Sequence, residues 1–256
     1  MTAALKALAV EKPDMIIAHG SQTAEVTEQF AKQHPAIQFV VTQGHVKGAN
    51  LSSYEVSQEE SAYLAGAAAG LLTKSGTVGY ISGIRIVSGL KARAAFADGL
   101  KKTNPDAKFL TSFTGNQDDA SLARKYTLAQ ADAGGDIIFT MLNAGRQGVT
   151  DVLAKRGLKE IGNVRDYVAI EPDIFIGSAV ADSGMAAYLA AERFINNEYE
   201  PNTIQKIGLE NEVAVRLSLS NNVPTDVKQK IEELSEQIKG GSIKIKIEYE
   251  GPEFEL

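Results

Sequence analysis

Short apolar runs alternate with longer stretches of helical periodicity along this chain, which is how a parallel α/β sheet wrapped by helices reads. The first run is Met15-Ile16-Ile17-Ala18, bounded by Pro13-Asp14 before it and His19-Gly20 after it. A helix is predicted over 23–33 and ends at His34-Pro35, because the residue before a proline avoids the helical region. Residues 38–41 form the next strand. The polar, non-periodic stretch 44–57 reads as a segment crossing between two lobes.

The helix predicted over 59–74 carries the small-residue run Leu64 to Leu72 (LAGAAAGLL), which permits close approach to a sheet or to another helix. It is too short for a membrane span and is flanked by Glu60 and Lys74, so it reads as a buried helix. Strand 78–81, helix 89–102, the turn Asn104-Pro105-Asp106, strand 108–113, helix 120–131, strand 136–141, helix 146–155 and strand 167–170 follow. This regular series from about 76 to 171 reads as one complete doubly wound lobe. A further strand is expected over 175–180, a helix over 183–196 and a strand over 213–219. In the last helix Pro224 suits the first turn, Val227, Ile231, Leu234 and Ile238 form one apolar stripe, and Gly240-Gly241 supply the stop. The tail 242–256 alternates Ile with Lys and Glu, the pattern of an edge strand that then frays. No internal repeat is visible.

Composition narrows the function. A chain of 256 residues with 44% hydrophobic side chains can bury the cores of two small lobes, which excludes a disordered or fibrous protein. With no Cys and only His19, His34 and His45, neither a thiolate nor a multi-His metal centre is expected, and no cofactor is implied. The net charge of −6 and the lack of a basic stretch argue against nucleic acid as a partner. No run of about 18 apolar residues occurs, and the N-terminus lacks a signal-peptide shape. The sequence therefore reads as cytoplasmic, or as a trimmed form of an exported protein. A nucleotide- or nucleoside-processing enzyme on a Rossmann-like sheet is disfavoured. Gly79-Tyr80-Ile81-Ser82-Gly83 has the wrong spacing for the dinucleotide fingerprint, and no P-loop or Ser-His-Asp order is present. The effector-sensing domain of a regulator would need a helix-turn-helix, and neither end shows one.

Several segments carry a resemblance when taken in order. Glu60-Ser61-Ala62-Tyr63-Leu64-Ala65-Gly66 precedes Gly76-Thr77-Val78-Gly79-Tyr80-Ile81-Ser82-Gly83. Ala95-Phe96-Ala97-Asp98-Gly99-Leu100, Asn104-Pro105-Asp106, and Phe113-Thr114-Gly115 with Asp119 follow. This order resembles the basic membrane protein (PnrA-like) family of ABC-transporter substrate-binding lipoproteins, the purine-nucleoside receptors, over about 13–245. The resemblance implies a type I periplasmic-binding-protein fold: two doubly wound α/β lobes, joined by three crossings, that close on a ligand in a cleft. The lobes would comprise 1–50 with 178–206, and 51–177 with 207–256, and the crossings would lie near 44–57, 177–183 and 207–216. It also implies a nucleoside or purine-like ligand, an ABC permease as membrane partner, and a periplasmic or cell-surface lipoprotein.

The same resemblance nominates Ser21, Gln22, Asp119, Asn143, Gly145, Arg146, Glu171 and Asp173 as ligand-binding residues. Asp119 matches a cleft-facing carboxylate, although Asp at that position also suits a helix N-cap. Asn143 to Gly148 matches a glycine-rich turn of the family, or is an ordinary strand–helix loop that here carries Arg146. Glu171 aligns with an Asp expected to hold ribose, whose hydroxyls need acceptors, and Asp173 lies beside it. Ser21 and Gln22 follow the first strand, where Ser also serves as a cap. Two departures stand out. Ala181-Asp182 replaces a Lys that the family carries after this strand. The chain also begins past the family's first strands, so the first lobe reads as N-terminally truncated. A second chain in a homodimer covering the open sheet edge, or the tail strand, are the alternatives.

Overall fold

In the computed structural model, which describes residues 1–256, the strands sort into two sheets, one parallel and one mixed, that belong to two separate units. The first unit comprises Met1–Ser57 and Asp182–Ala214. Its sheet runs in the order β1 (Met15–His19), β2 (Gln38–Thr42), β3 (Leu51–Val56) and β9 (Ile204–Ile207), every neighbour parallel. Helices α1 (Thr2–Val10), α2 (Ala24–Gln33) and α7 (Ser183–Ile195) complete it. Leu5, Ile16, Phe30, Phe39, Val41 and Leu51 form the core, with Phe30 edge-on to Phe39 and stacked on His34.

Residues 51–56, expected to cross between lobes, are instead an interior strand of this sheet. Their polar side chains concealed it. Ser52 and Ser53 are fully buried, and their hydroxyls donate to the carbonyls of Glu200 and Val46 at 2.7 and 2.5 Å. A buried polar group is tolerated when it is hydrogen-bonded, and these partners lie elsewhere in the chain.

The second unit comprises Gln58–Ala181 and Val215–Leu256. Its sheet holds β4 (Thr77–Ser82), β5 (Lys108–Phe113), β6 (Ile137–Met141), β7 (Lys159–Val164), β8 (Phe175–Ala181) and β10 (Val215–Leu219). The order is β10-β8-β7-β6-β4-β5, with only β10 antiparallel. The helices of this unit are α3 (Gln58–Leu72), α4 (Val87–Thr103), α5 (Ala120–Asp132), α6 (Arg146–Arg156) and α8 (Thr225–Lys239). The small residues of α3 receive α4. A Cβ on Gly66 would collide with the backbone carbonyl of Phe96, and one on Gly99 would collide with that of Tyr63. Glycine on both helices is what permits this spacing.

Two strand expectations are corrected. Residues 167–170 form a turn, and the strand of that region is β7, eight positions earlier at its start. Gly157 ends α6 in the left-handed conformation (φ 66°), so β7 begins almost at once. Its sequence, Lys-Glu-Ile-Gly-Asn-Val, hides the strand because Glu160 and Asn163 are buried polar residues. The tail 242–256 adds no regular strand; Phe254 bonds to β5 through its N–H, which donates to the Thr111 carbonyl at 2.8 Å, and Tyr249 packs edge-on to Phe109.

Candidate functional site

In the second unit, β4, β6 and β7 are parallel, so their carboxyl ends converge on one side of the sheet, where such folds place ligands. A cavity of about 450 Å³ opens there. After β4 it is lined by Ile86 and Ser88, after β6 by Met141, Leu142, Asn143 and Arg146, and at the end of β7 by Asn163, Val164, Arg165 and Tyr167. Gln58, at the start of α3, and Gln117, in the loop after β5, complete the wall. The volume lies within the range of small-molecule sites.

The floor is rigid and charged. Arg146, the first residue of α6, is 6% exposed, and its Nη1 donates to Oε1 of Glu160 at 3.1 Å. Nη2 donates to the Thr140 carbonyl at 2.9 Å, and the guanidinium lies 4.2 Å from the Tyr167 ring centroid. Glu160 is fully buried and also accepts from the Thr150 hydroxyl at 2.8 Å. Burial pushes its carboxyl above the usual range, while Arg146 and Thr150 pull against that shift. Tyr167 is fixed in turn by stacking on Phe175, and its N–H donates to Ser178 Oγ at 2.9 Å.

Above that floor the chemistry is mostly amide. Gln58 Nε2 donates to Asn163 Oδ1 at 2.9 Å, which holds both side chains in place. The Gln117 carbonyl accepts from the N–H groups of Asn143 and Gly145 at 3.0 and 3.1 Å, tying the loop after β5 to the turn after β6. Amide side chains both donate and accept, so the wall suits a neutral ligand whose edge carries both kinds of group. None of the twelve lining residues is a carboxylate, and of the two arginines in the lining Arg146 is paired with the buried Glu160.

The structure brings some nominated residues together and separates others. Asn143 and Arg146 line the cavity, and Gly145, the N-cap of α6, adjoins it. Asp119 caps α5, with Oδ1 accepting the Leu122 N–H at 2.9 Å. Glu171 and Asp173 lie toward the amino end of β8. The Asp173 carbonyl accepts from Lys159 Nζ at 2.7 Å, beside the first residue of β7, at the opposite end of the sheet from the cavity. Ser21 and Gln22 belong to the first unit. They sit exposed in a single 3₁₀ turn after β1, with no side-chain cap bond. Asp182, where the resemblance led one to look for a Lys, caps α7 through the Gly184 N–H at 2.8 Å. Gln58, Ser88, Gln117, Asn163, Arg165 and Tyr167 had not been singled out. Placing β7 correctly would have exposed Asn163 to Tyr167 as residues of a strand's carboxyl end.

The two α/β units have the fold of type I periplasmic-binding proteins. Residues 1–248 match the family described as ABC transporter substrate-binding protein PnrA-like (Bmp), and the chain belongs to that family. It is 26% identical over 181 residues to the transcriptional activator protein med of Bacillus subtilis, matching 71% of this chain and 56% of that protein. It is 26% identical over 220 residues to a purine-binding protein of Brucella abortus, matching 85% of this chain and 61% of the relative. The chain thus spans less than two thirds of the length of either. Among solved structures, a transcriptional activator of the comK gene from Bacillus halodurans superposes with TM-score 0.83 at 22% identity, covering 94% of this chain and 83% of that one. A solute-binding protein of an ABC transporter system from Aeropyrum pernix does so with TM-score 0.81 at 19% identity, covering 96% and 80%.

Proposed function

We propose that this chain is the solute-binding component of an ABC importer and that it binds a purine-like nucleoside or base, without catalysis. The observation that carries this is the cavity at the carboxyl ends of β4, β6 and β7, in a chain of a substrate-binding family. Asn143, Asn163, Gln58 and Gln117 would meet the donor and acceptor pattern of a base edge, and Arg146 would hold Tyr167 as one wall. A purine-binding relative and a nucleoside-binding relative, BmpA of Lactococcus lactis, favour this ligand class. An extracytoplasmic, lipid-anchored protein that delivers its ligand to a membrane permease is the setting in which this role operates. No helix is long and apolar enough to cross a membrane.

The test is native mass spectrometry and isothermal titration of the purified chain with adenosine, guanosine, inosine and their free bases. Saturable binding of one or more supports the proposal. Binding of none, by a chain that unfolds cooperatively, overturns the purine assignment. The relatives named as transcriptional activators make a DNA mobility shift at low salt the companion measurement, and no shift is expected from a chain of net charge −6.

A further inference from the structure

One wall of the cavity is held from outside. Ile86 and Ser88 line it, yet the segment 84–88 has little packing of its own: Ile84, Ile86 and Val87 are 44%, 43% and 58% exposed. Ile86, the N-cap of α4, supplies no side-chain cap. What grips the segment is the C-terminal tail. Glu253 engages both terminal nitrogens of Arg85, with Nη1 to Oε1 at 2.8 Å, and the same carboxylate accepts from Arg93 Nη1 at 2.6 Å. Arg93 is 7% exposed and anchored on α4. The two guanidinium groups lie 4.6 and 4.9 Å from the centroid of the Phe113 ring, at the end of β5, and Arg93 also rests against Tyr249. On the other side of Glu253, Phe254 is pinned to the edge of the sheet by its N–H to the Thr111 carbonyl and by Ser112 Oγ donating to its carbonyl at 2.9 Å.

We propose that Glu253 is a positioning residue for the ligand cavity: by clamping Arg85 against the buried Arg93, the tail fixes the 84–88 wall. This rests on the cavity being the ligand site. Neither Glu253 nor Arg85 lines the cavity, so they act through Ile86 and Ser88. A bidentate arginine–carboxylate pair sharing its carboxylate with a buried arginine supplies the directional restraint that exposed apolar side chains cannot.

The experiment uses the full chain with Glu253→Gln, Arg85→Gln and the double substitution. Hydrogen–deuterium exchange followed by mass spectrometry reads the 83–90 backbone, and titration with adenosine, guanosine and inosine reads affinity. Thermal unfolding separates positioning from mere stabilisation. Each single substitution is expected to accelerate exchange in 83–90 and to weaken the nucleoside that binds roughly 3- to 10-fold. The double substitution should be no worse than the more severe single, the mark of two residues acting as one unit. Unchanged exchange in 83–90 overturns the proposal. So does a lowered midpoint with faster exchange confined to 245–256 and unaltered affinity, which would leave the tail a stabilising strap. If the unsubstituted chain binds none of the three nucleosides, the purine assignment falls, and exchange in 83–90 still decides the clamp.

Discussion

Arg146 shows how one residue can serve structure and site together. Its charge is neutralised under the cavity floor by Glu160, while its guanidinium face supports Tyr167. Glu160→Gln would strand that charge in a buried setting, and breaking a buried pair from one side costs about 3 kcal/mol or more. Urea unfolding of the variant should show the loss, and an unchanged midpoint would mean that the pair is not held as described. Asn143 and Glu171 make a paired test of location. Asn143→Ala removes a cavity amide and is expected to weaken nucleoside binding by about 1 kcal/mol. Glu171→Gln should leave it unaltered, since Glu171 is not among the residues that line the cavity. The sequence pointed to both with similar force. The aligned order of residues carries no information about which end of a strand a side chain occupies when the strand itself is misplaced.

Among the elements, α3 and α4 were the most legible, because a run of Ala and Gly at helical spacing can hardly do anything but pack closely. The glycine pair turns that expectation into a quantitative one. Gly66→Ala places a methyl group against the Phe96 carbonyl and should cost about 2 kcal/mol, as overpacking does, with Gly99→Ala behaving alike through Tyr63. Thermal or denaturant midpoints would check this; a gain in stability, as glycine-to-alanine changes give in an open helix, would show that the helices stand farther apart. Strands β3 and β7 were illegible for a common reason. Ser52, Ser53, Glu160 and Asn163 look like loop residues in sequence and are buried in the fold. Each is satisfied by a partner that local reading cannot supply, such as Glu200 for Ser52 and Gln58 for Asn163. The tail failed in the opposite sense. Its alternating pattern imitates an edge strand, but Tyr249 and Glu253 are spent on Arg93 rather than on a ladder.

For the molecule as a whole, the tyrosines set an alkaline limit. Burial, with Asp98 nearby, pushes the Tyr63 hydroxyl up to about 12, and burial does the same for Tyr199, whose hydroxyl donates to the Phe39 carbonyl at 2.7 Å. Both stay protonated in the folded state at pH values where an unfolded tyrosine, near 10, has ionised. Their contribution is therefore complete below pH 10 and is lost as pH rises from about 10 to about 12. Melting temperatures measured from pH 9 to 12 should fall through that window, alongside tyrosinate absorbance; a flat profile would contradict the burial of these hydroxyls. Because Tyr63 and Tyr199 belong to different units, replacing each by Phe should flatten the fall in part.

By itself the sequence determined the alternation of strands and helices, the doubly wound series, the close-packed α3, the capped final helix and the family. The first four follow from periodicity, small residues and stop signals, all of which act over a few turns of chain, and the family from the resemblance of segments taken in order. Only the tertiary structure decided which residues face the cavity. That choice depends on strand register and direction, and on hydrogen bonds such as Gln58 to Asn163, which join positions 105 residues apart. Nothing local requires Asn163 to be buried or Asp173 to lie at the far end of its sheet. The ladder β6-β7-β8 imposes both at once, because in a parallel sheet fixing one strand's register fixes the ends of its neighbours.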